Sequence, residues 1–237
     1  MPPPARHSST ARLVLFDVDG TLVLTGGAGM RALNRACEDL VGHGHALNGV
    51  GLAGRTDWII LHEALERHGR TLDRVLLHEI RERYLVHLRE EIELPGKGVK
   101  AVMPGIRALL DALHEREDVA LGLITGNFAE GARIKLEYFD LWKYFPCGAF
   151  GDDSADRNEL VPVAIERARA GGIAHAAPSN VWVVGDTPHD VACALVAGAT
   201  PVAVATGGYS VDQLRESGAG IVFGDLSDTG AFLALLT

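Results

Sequence analysis

Four apolar residues, Leu13-Val14-Leu15-Phe16, run straight into Asp17-Val18-Asp19-Gly20-Thr21. A short unbroken apolar run closed by turn residues reads as a strand buried on both faces, the type that lies inside parallel sheets. All the charge of this segment therefore sits at one strand end. Where the chain is still extended, Asp17 and Asp19, two residues apart, point to the same side. Open α/β sheets bind ligands just beyond the carboxyl ends of their strands, so two carboxylates there occupy the place where chemistry is usually done. Gly20 lets the chain turn away sharply.

After Thr21 the periodicity changes. Met30, Leu33, Cys37, Leu40 and Val41 recur at helical spacing until Gly42-His43-Gly44. A glycine-rich loop, Gly49 to Asp57, follows, and Thr56 is placed to cap a helix from Asp57 to His68. A third helical run covers Leu72 to Ile92, with Leu76, Ile80, Tyr84, Leu88 and Ile92 on one face. Residues 25–94 thus read as an all-helical insertion, and Pro95-Gly96-Lys97-Gly98 as the hinge that returns the chain. From there strands and helices alternate, the signature of a parallel sheet. Pro104 marks a helix start, and a strand at Val119–Ile124 ends at Thr125-Gly126-Asn127. After a helix from Ala129 to Tyr138 come a short strand near Gly148-Ala149-Phe150, a helix from Asn158 to Ala170, and a strand at Val181–Val184 ending at Gly185-Asp186. A strand at Pro201–Ala205, a helix opened by the capping box Ser210 to Gln213, and a strand near Ile221–Phe223 complete the pattern. Residues 1–10 read as a mobile tail, and residues 11–24 with 95–237 as one α/β core.

Three strand ends carry polar residues: Asp17 with Asp19, Thr125 with Gly126 and Asn127, and Asp186 with Asp190. Parallel strands present these ends on one edge, so residues distant in sequence can converge. Asp-x-Asp-Gly-Thr on an N-terminal apolar strand, followed in order by the Thr125 and Asp186 strand ends, resembles the haloacid dehalogenase-like hydrolases. The resemblance spans the chain except the tail and the detailed sequence of the insertion. It implies a doubly wound, Rossmann-like α/β core with an inserted helical cap. Within that family the chain is most similar to the phosphoglycolate phosphatase-like subgroup with a helical cap.

The resemblance implies a role for each residue. Asp17 would be the nucleophile and Asp19 the general acid and base. Mg2+ would be held by Asp17, Asp186 and the main-chain carbonyl of Asp19; a hard cation suits such oxygen donors and offsets the repulsion between a carboxylate nucleophile and a phosphate dianion. Asp190 would hold the metal's water or orient neighbours, or else serve only as an acid at a helix N-terminus. The Thr125 hydroxyl and the N–H groups near Gly126 and Asn127 would hold phosphoryl oxygens. The family's third motif is usually a lysine before the helix preceding the fourth-motif strand. Here Asp156-Arg157-Asn158 stands in that place, making Arg157 the first candidate. Lys135 is the second, but two turns along its helix it reads more simply as part of a solvated face. Arg55, in a Gly54-Arg55-Thr56-Asp57 loop similar to the substrate-specificity loops of capped relatives, either meets an anionic part of the substrate or is structural.

Other residues narrow the reaction. A halide leaving group needs no proton, so Asp19 argues against dehalogenation. Phosphonate cleavage in relatives uses a cap lysine, and no lysine occurs between Thr21 and Gly96. A phosphatase acting on a small phosphorylated metabolite, of phosphoglycolate or sugar-phosphate type, fits the motifs. A phosphosugar mutase shares both aspartates and the cap and stays open, as does a non-catalytic binding module. A Walker-type phosphate loop is absent, which argues against a nucleotide-binding α/β protein. The net charge of −9 disfavours nucleic acid and anionic membranes as partners. The three cysteines, Cys37, Cys147 and Cys193, show no pairing or zinc pattern, and no apolar run approaches the ~20 residues of a membrane span. The cytoplasm is the expected compartment. Oligomeric state has no signature in the sequence.

Overall fold

The computed structural model describes residues 12–237; the tail read over residues 1–10 lies outside them. Strand β1 (Arg12–Phe16) is the middle of the architecture, because Leu13, Val14, Leu15 and Phe16 lack any polar side chain and all are fully buried. Their alternation sends Val14 and Phe16 to one apolar cluster and Leu13 and Leu15 to another, one on each face of the sheet. Five further parallel strands complete it: β4 (Val119–Ile124), β5 (Gly148–Ala149), β6 (Val181–Gly185), β7 (Thr200–Val204) and β8 (Ile221–Phe223), in the order β5-β4-β1-β6-β7-β8. The chain thus winds outward from β1 in one direction, through β4 to β5, and then in the other, from β6 to β8. That reversal makes the carboxyl end of β1 the topological switch point, where a crevice must open.

Both faces are covered, as a sheet of apolar strands requires. Helices α4 (Ile106–His114), α5 (Ala129–Tyr138) and α9 (Thr229–Ala234) pack Leu109, Leu113, Leu136 and Phe232 against the Phe16 side. Helices α6 (Leu160–Ala170) and α7 (Pro188–Val196) pack Leu160, Ala164 and Cys193 against the Leu15 side. Helix α8 (Val211–Glu216) buries Leu214 beside Ala203. Helix α4 begins at Ile106 rather than at Pro104, and the reason is steric. Gly105 turns the chain at φ +80°, and a Cβ there would lie 2.0 Å from the Leu226 carbonyl oxygen.

The insertion consists of α1 (Ala28–Val41), α2 (Asp57–Arg67) and α3 (Arg74–Glu91), and its apolar cluster includes Leu33, Leu61, Leu65, Ile80 and Leu88. Phe128 and Ile134, from the segment around α5, join that cluster, so the insertion is seated on the core. Thr56 caps α2 as the sequence predicts, accepting the Ile59 N–H at 3.4 Å. A short antiparallel ribbon, β2 (Val23–Thr25) with β3 (Lys100–Val102), ties the two ends of the insertion together. Nothing in the residue pattern signals this ribbon, since each strand has three residues and the pairing joins segments about seventy-five positions apart. Among the described residues, no helix is long and apolar enough to cross a membrane.

Candidate active site

The predicted strand-end residues meet at the switch point. After Phe16 the chain continues extended for one residue, with the Asp17 N–H donating to the Val184 carbonyl of β6 at 2.9 Å. It then closes a tight turn in which Leu22 and Val23 both donate to the Val18 carbonyl. Gly20 in that turn has φ +88°, and a Cβ on it would lie 2.5 Å from an Asp186 carboxylate oxygen. The turn needs a glycine twice over, for its backbone and for its contact. Thr21, the last residue of the motif, donates its hydroxyl to Asp186 Oδ1 at 3.0 Å. Gly207, after β7, approaches the same carboxylate so closely that a Cβ would overlap it. Thr206 donates to the Gly20 carbonyl at 2.6 Å. The sequence reading missed Thr206 and Gly207, which sit in a loop without a motif.

Asp17, Asp186 and Asp190 are buried, and one oxygen of each lies within 4.8 Å of the others. Burial pushes Asp17 up to about 7, with Arg157 opposing the rise and Asp190 adding to it. Burial also pushes Asp186 up to about 8, reinforced by the charges of Asp17 and Asp190. Three carboxylates this close in a dry site favour a cation among them. Arg157 is one: its Nη2 donates to Asp17 Oδ1 at 2.7 Å and to Asp190 Oδ1 at 2.5 Å. Burial works against the guanidinium charge, but Asp190 and Asp17 outweigh it and hold its pKa above the ordinary value. The oxygen-only donor set that remains fits a hard divalent ion. Asp190 is the most engaged of the three, since its Oδ2 also accepts the Thr187 N–H at 3.0 Å and hydroxyl at 2.7 Å in a capping box on α7.

Opposite this cluster stands Asp19, whose Oδ2 accepts from Lys135 Nζ at 2.6 Å and from Asn127 Nδ2 at 2.8 Å. Asn127 also donates to the Thr125 hydroxyl at 2.7 Å, and its Oδ1 accepts from Lys135 at 2.7 Å. The expectation of a solvated face for Lys135 is overturned: the residue is 4% exposed and its ammonium is inside the site. Side chains on a helix lean toward its N-terminus, so the lysine stem runs back along α5. Gly29 in α1 leaves room for its end; a Cβ there would lie 3.3 Å from Lys135 Nζ. Arg157 and Lys135 therefore both reach the site, on opposite sides of it.

The insertion closes the site through residues 54–57. The Asp57 N–H donates to the Gly126 carbonyl at 2.8 Å, the Phe128 N–H donates to Asp57 Oδ2 at 2.9 Å, and the Thr56 hydroxyl donates to the Ala155 carbonyl at 2.9 Å. Asp57 is buried, and burial, only partly offset by Lys135, pushes it up to about 6. Gly126 is pressed so close to this loop that a Cβ would lie 2.1 Å from the Arg55 carbonyl oxygen. Arg55 itself donates to Glu63 at 2.6 Å and to the Gly51 carbonyl at 3.0 Å, while lining the space between insertion and core. That space, a cavity of about 550 Å³, has Asp17, Asp19, Thr125, Asn127, Arg157 and Asp186 in its floor.

A family model for haloacid dehalogenase-like hydrolases matches residues 14–195 of the chain. The chain is 31% identical over 229 residues to a phosphoglycolate phosphatase of Rhodospirillum rubrum, covering 94% of this chain and 90% of that protein. It is 29% identical over 233 residues to a Dickeya dadantii protein named probable phosphatase IndB, covering 94% of each. The crystal structure of a hydrolase from Pseudomonas syringae superposes with a TM-score of 0.67 at 21% identity, over 95% of this chain and 99% of the other, a likeness of fold.

Proposed function

Because the chain belongs to the haloacid dehalogenase-like hydrolase family and is an enzyme of its phosphatase kind, we propose that it hydrolyses a small phosphorylated metabolite with Mg2+, through an aspartyl-phosphate on Asp17. Phosphoglycolate and sugar phosphates are the substrate types the resemblance suggests. The observation that carries the reading is the convergence of Asp17, Asp19, Thr125 and Asp186 on one crevice at the switch point. In this reading residues 25–94 are a cap over a core of residues 11–24 and 95–237, and the enzyme is cytoplasmic. The free thiols Cys37, Cys147 and Cys193 are compatible with a reducing compartment.

Mg2+, held by Asp17 and Asp186 with the Asp19 carbonyl, would supply positive charge to the phosphoryl oxygens. The residues do the rest. An oxygen of Asp17 attacks phosphorus, and as that O–P bond forms the ester P–O bond breaks. Asp19, protonated, gives its proton to the departing oxygen, which leaves as an alcohol. The resulting Asp19 carboxylate takes a proton from water, the water oxygen attacks phosphorus, and the bond to Asp17 breaks to release inorganic phosphate. Lys135 and Asn127 hold Asp19 in place for both transfers, and their bonds to its Oδ2 leave Oδ1 for the proton. The Thr125 hydroxyl and the N–H groups of Gly126 and Asn127 receive the phosphoryl oxygens. Arg157 balances the negative floor, and Asp190 orients Arg157.

Phosphate release from 2-phosphoglycolate, hexose phosphates and acetyl phosphate, measured with Mg2+ and with EDTA, tests the reading. Turnover with Mg2+ and a loss of at least about 100-fold on chelation are expected. Turnover unaffected by EDTA after exhaustive dialysis contradicts the metal, and absence of release from every ester contradicts the phosphatase. Gly126→Ala tests the cap contact separately. Its new methyl group must displace the Arg55 carbonyl, so we expect kcat/KM to fall by about 100-fold with circular dichroism unchanged, and proteolysis within the loop of residues 49–57 to accelerate.

A further inference from the structure

The cavity is unlike its floor once it rises into the insertion. Its upper wall is built from Leu24, Met30, Leu33, Leu52, Ile60 and Val99. Met30 and Val99 are 45% and 64% exposed, so this wall is only partly shielded from solvent. The cations that reach the cavity are already matched. Lys135 is held by Asp19, Arg157 by Asp17 and Asp190, and Arg55 by Glu63. The upper half adds a negative group, Asp57, and no unpaired positive one among the described residues. A leaving group bearing a carboxylate would enter this half without a free counter-charge and beside Asp57, which repels it.

A second observation points to what does fit. Tyr84, from α3, is 1% exposed, and its ring packs against Phe128 with centroids 6.2 Å apart. Its hydroxyl makes no hydrogen bond to the described residues and lines the cavity. Burial holds this phenol in its protonated form, raised well above its usual pKa. A hydroxyl that faces the cavity without a partner from the chain is available to a ligand group. The cavity of about 550 Å³ is also far roomier than a phosphoryl group on a two-carbon acid requires.

We infer that the substrate is a phosphate monoester of an uncharged alcohol with an apolar body, bearing one polar group that pairs with the Tyr84 hydroxyl. The inference rests on the phosphatase reading above and narrows its substrate class. Tyr84 is then a specificity-determining residue, and Arg55 shapes the wall through Glu63 instead of binding an anion.

The test compares kcat/KM for n-alkyl phosphates and ω-hydroxyalkyl phosphates of three to six carbons, benzyl phosphate, 2-phosphoglycolate and acetyl phosphate. Acetyl phosphate, a mixed anhydride whose small acetate leaving group departs without a proton, reports on the nucleophile and phosphoryl pocket of the floor alone. At least one uncharged ester is expected to exceed 2-phosphoglycolate by tenfold or more. The best hydroxyalkyl ester should exceed its alkyl counterpart, and Tyr84→Phe should bring the two esters within twofold of each other. If 2-phosphoglycolate is the best ester while acetyl phosphate turns over, the inference fails and the phosphatase reading stands. If the hydroxyalkyl preference survives Tyr84→Phe, or never exists, the assignment of Tyr84 fails. If acetyl phosphate and all the esters are inert, both readings fall.

Discussion

Replacing Asp17 with asparagine is expected to lower kcat for phosphate release by about 10⁴-fold or more, because the change deletes the attacking oxygen. The substitution is close to isosteric, and the fold has little reason to object. The main-chain bond from Asp17 to Val184 does not involve the side chain, and an asparagine carbonyl can still accept from Arg157 where Oδ1 does now. A carboxyl that burial has already pushed up to about 7 loses little when it becomes a neutral amide. Metal-free Asp17→Asn is therefore expected to melt at or above the wild-type temperature near pH 8, which separates lost chemistry from lost structure. A second readout identifies the intermediate: acid-quenched wild type should carry a hydroxylamine-sensitive phosphoryl group that Asp17→Asn lacks. Activity within tenfold of wild type, with asparagine verified by mass spectrometry, would mean that Asp17 is not the nucleophile.

The parts of this site that could be read from sequence are those fixed by local order along one strand. Asp17 and Asp19 follow an apolar run, Thr125 and Asp186 follow two others, and parallel strands bring such ends together whatever lies between. Thr21 was visible as part of its motif, yet its bond to Asp186 joins positions that only the β1–β6 pairing makes neighbours. Lys135 was misread for a related reason. Six residues of helix put its Cα roughly 9 Å along the axis from Ala129, and only a stem that folds back past Gly29 brings its ammonium to Asp19 and Asn127. A glycine's missing side chain is a spatial fact that sequence alone does not aim. Asp57 and Tyr84 were harder still, since their significance depends on how the helical insertion docks, and periodicity says which face of a helix is apolar without saying what it meets.

Arg157→Met is expected to cause the largest loss of stability, about 3–5 kcal/mol near pH 8 without metal. The guanidinium is 7% exposed and is the group that directly bridges Asp17 and Asp190, so its removal leaves buried negative charge without its partner. The pH dependence has a definite sign. Arg157 opposes the rise in the Asp17 pKa, so without it Asp17 titrates above about 7 in the folded protein. An acid with a raised folded pKa binds more protons folded than unfolded, and stability falls as pH rises from the unfolded value through the folded one. The part of the Arg157→Met deficit that comes from Asp17 should therefore stay constant up to about pH 7, where Asp17 is protonated in both folded proteins, and should grow from there through pH 9. Denaturant melts of wild type and variant across that range, with EDTA present, measure it directly. Arg157→Lys makes the contrast informative. Both contacts to the carboxylates come from the single atom Nη2, while Arg157 Nε is buried without a partner. One ammonium can take the place of Nη2, and lysine has no second nitrogen to leave unsatisfied, so this variant should recover most of the lost stability at pH 8. An equally unstable lysine variant would show that the shape of the guanidinium matters more than its charge. A methionine variant as stable as wild type at pH 8 would show that the carboxylates do not need a cation from the chain.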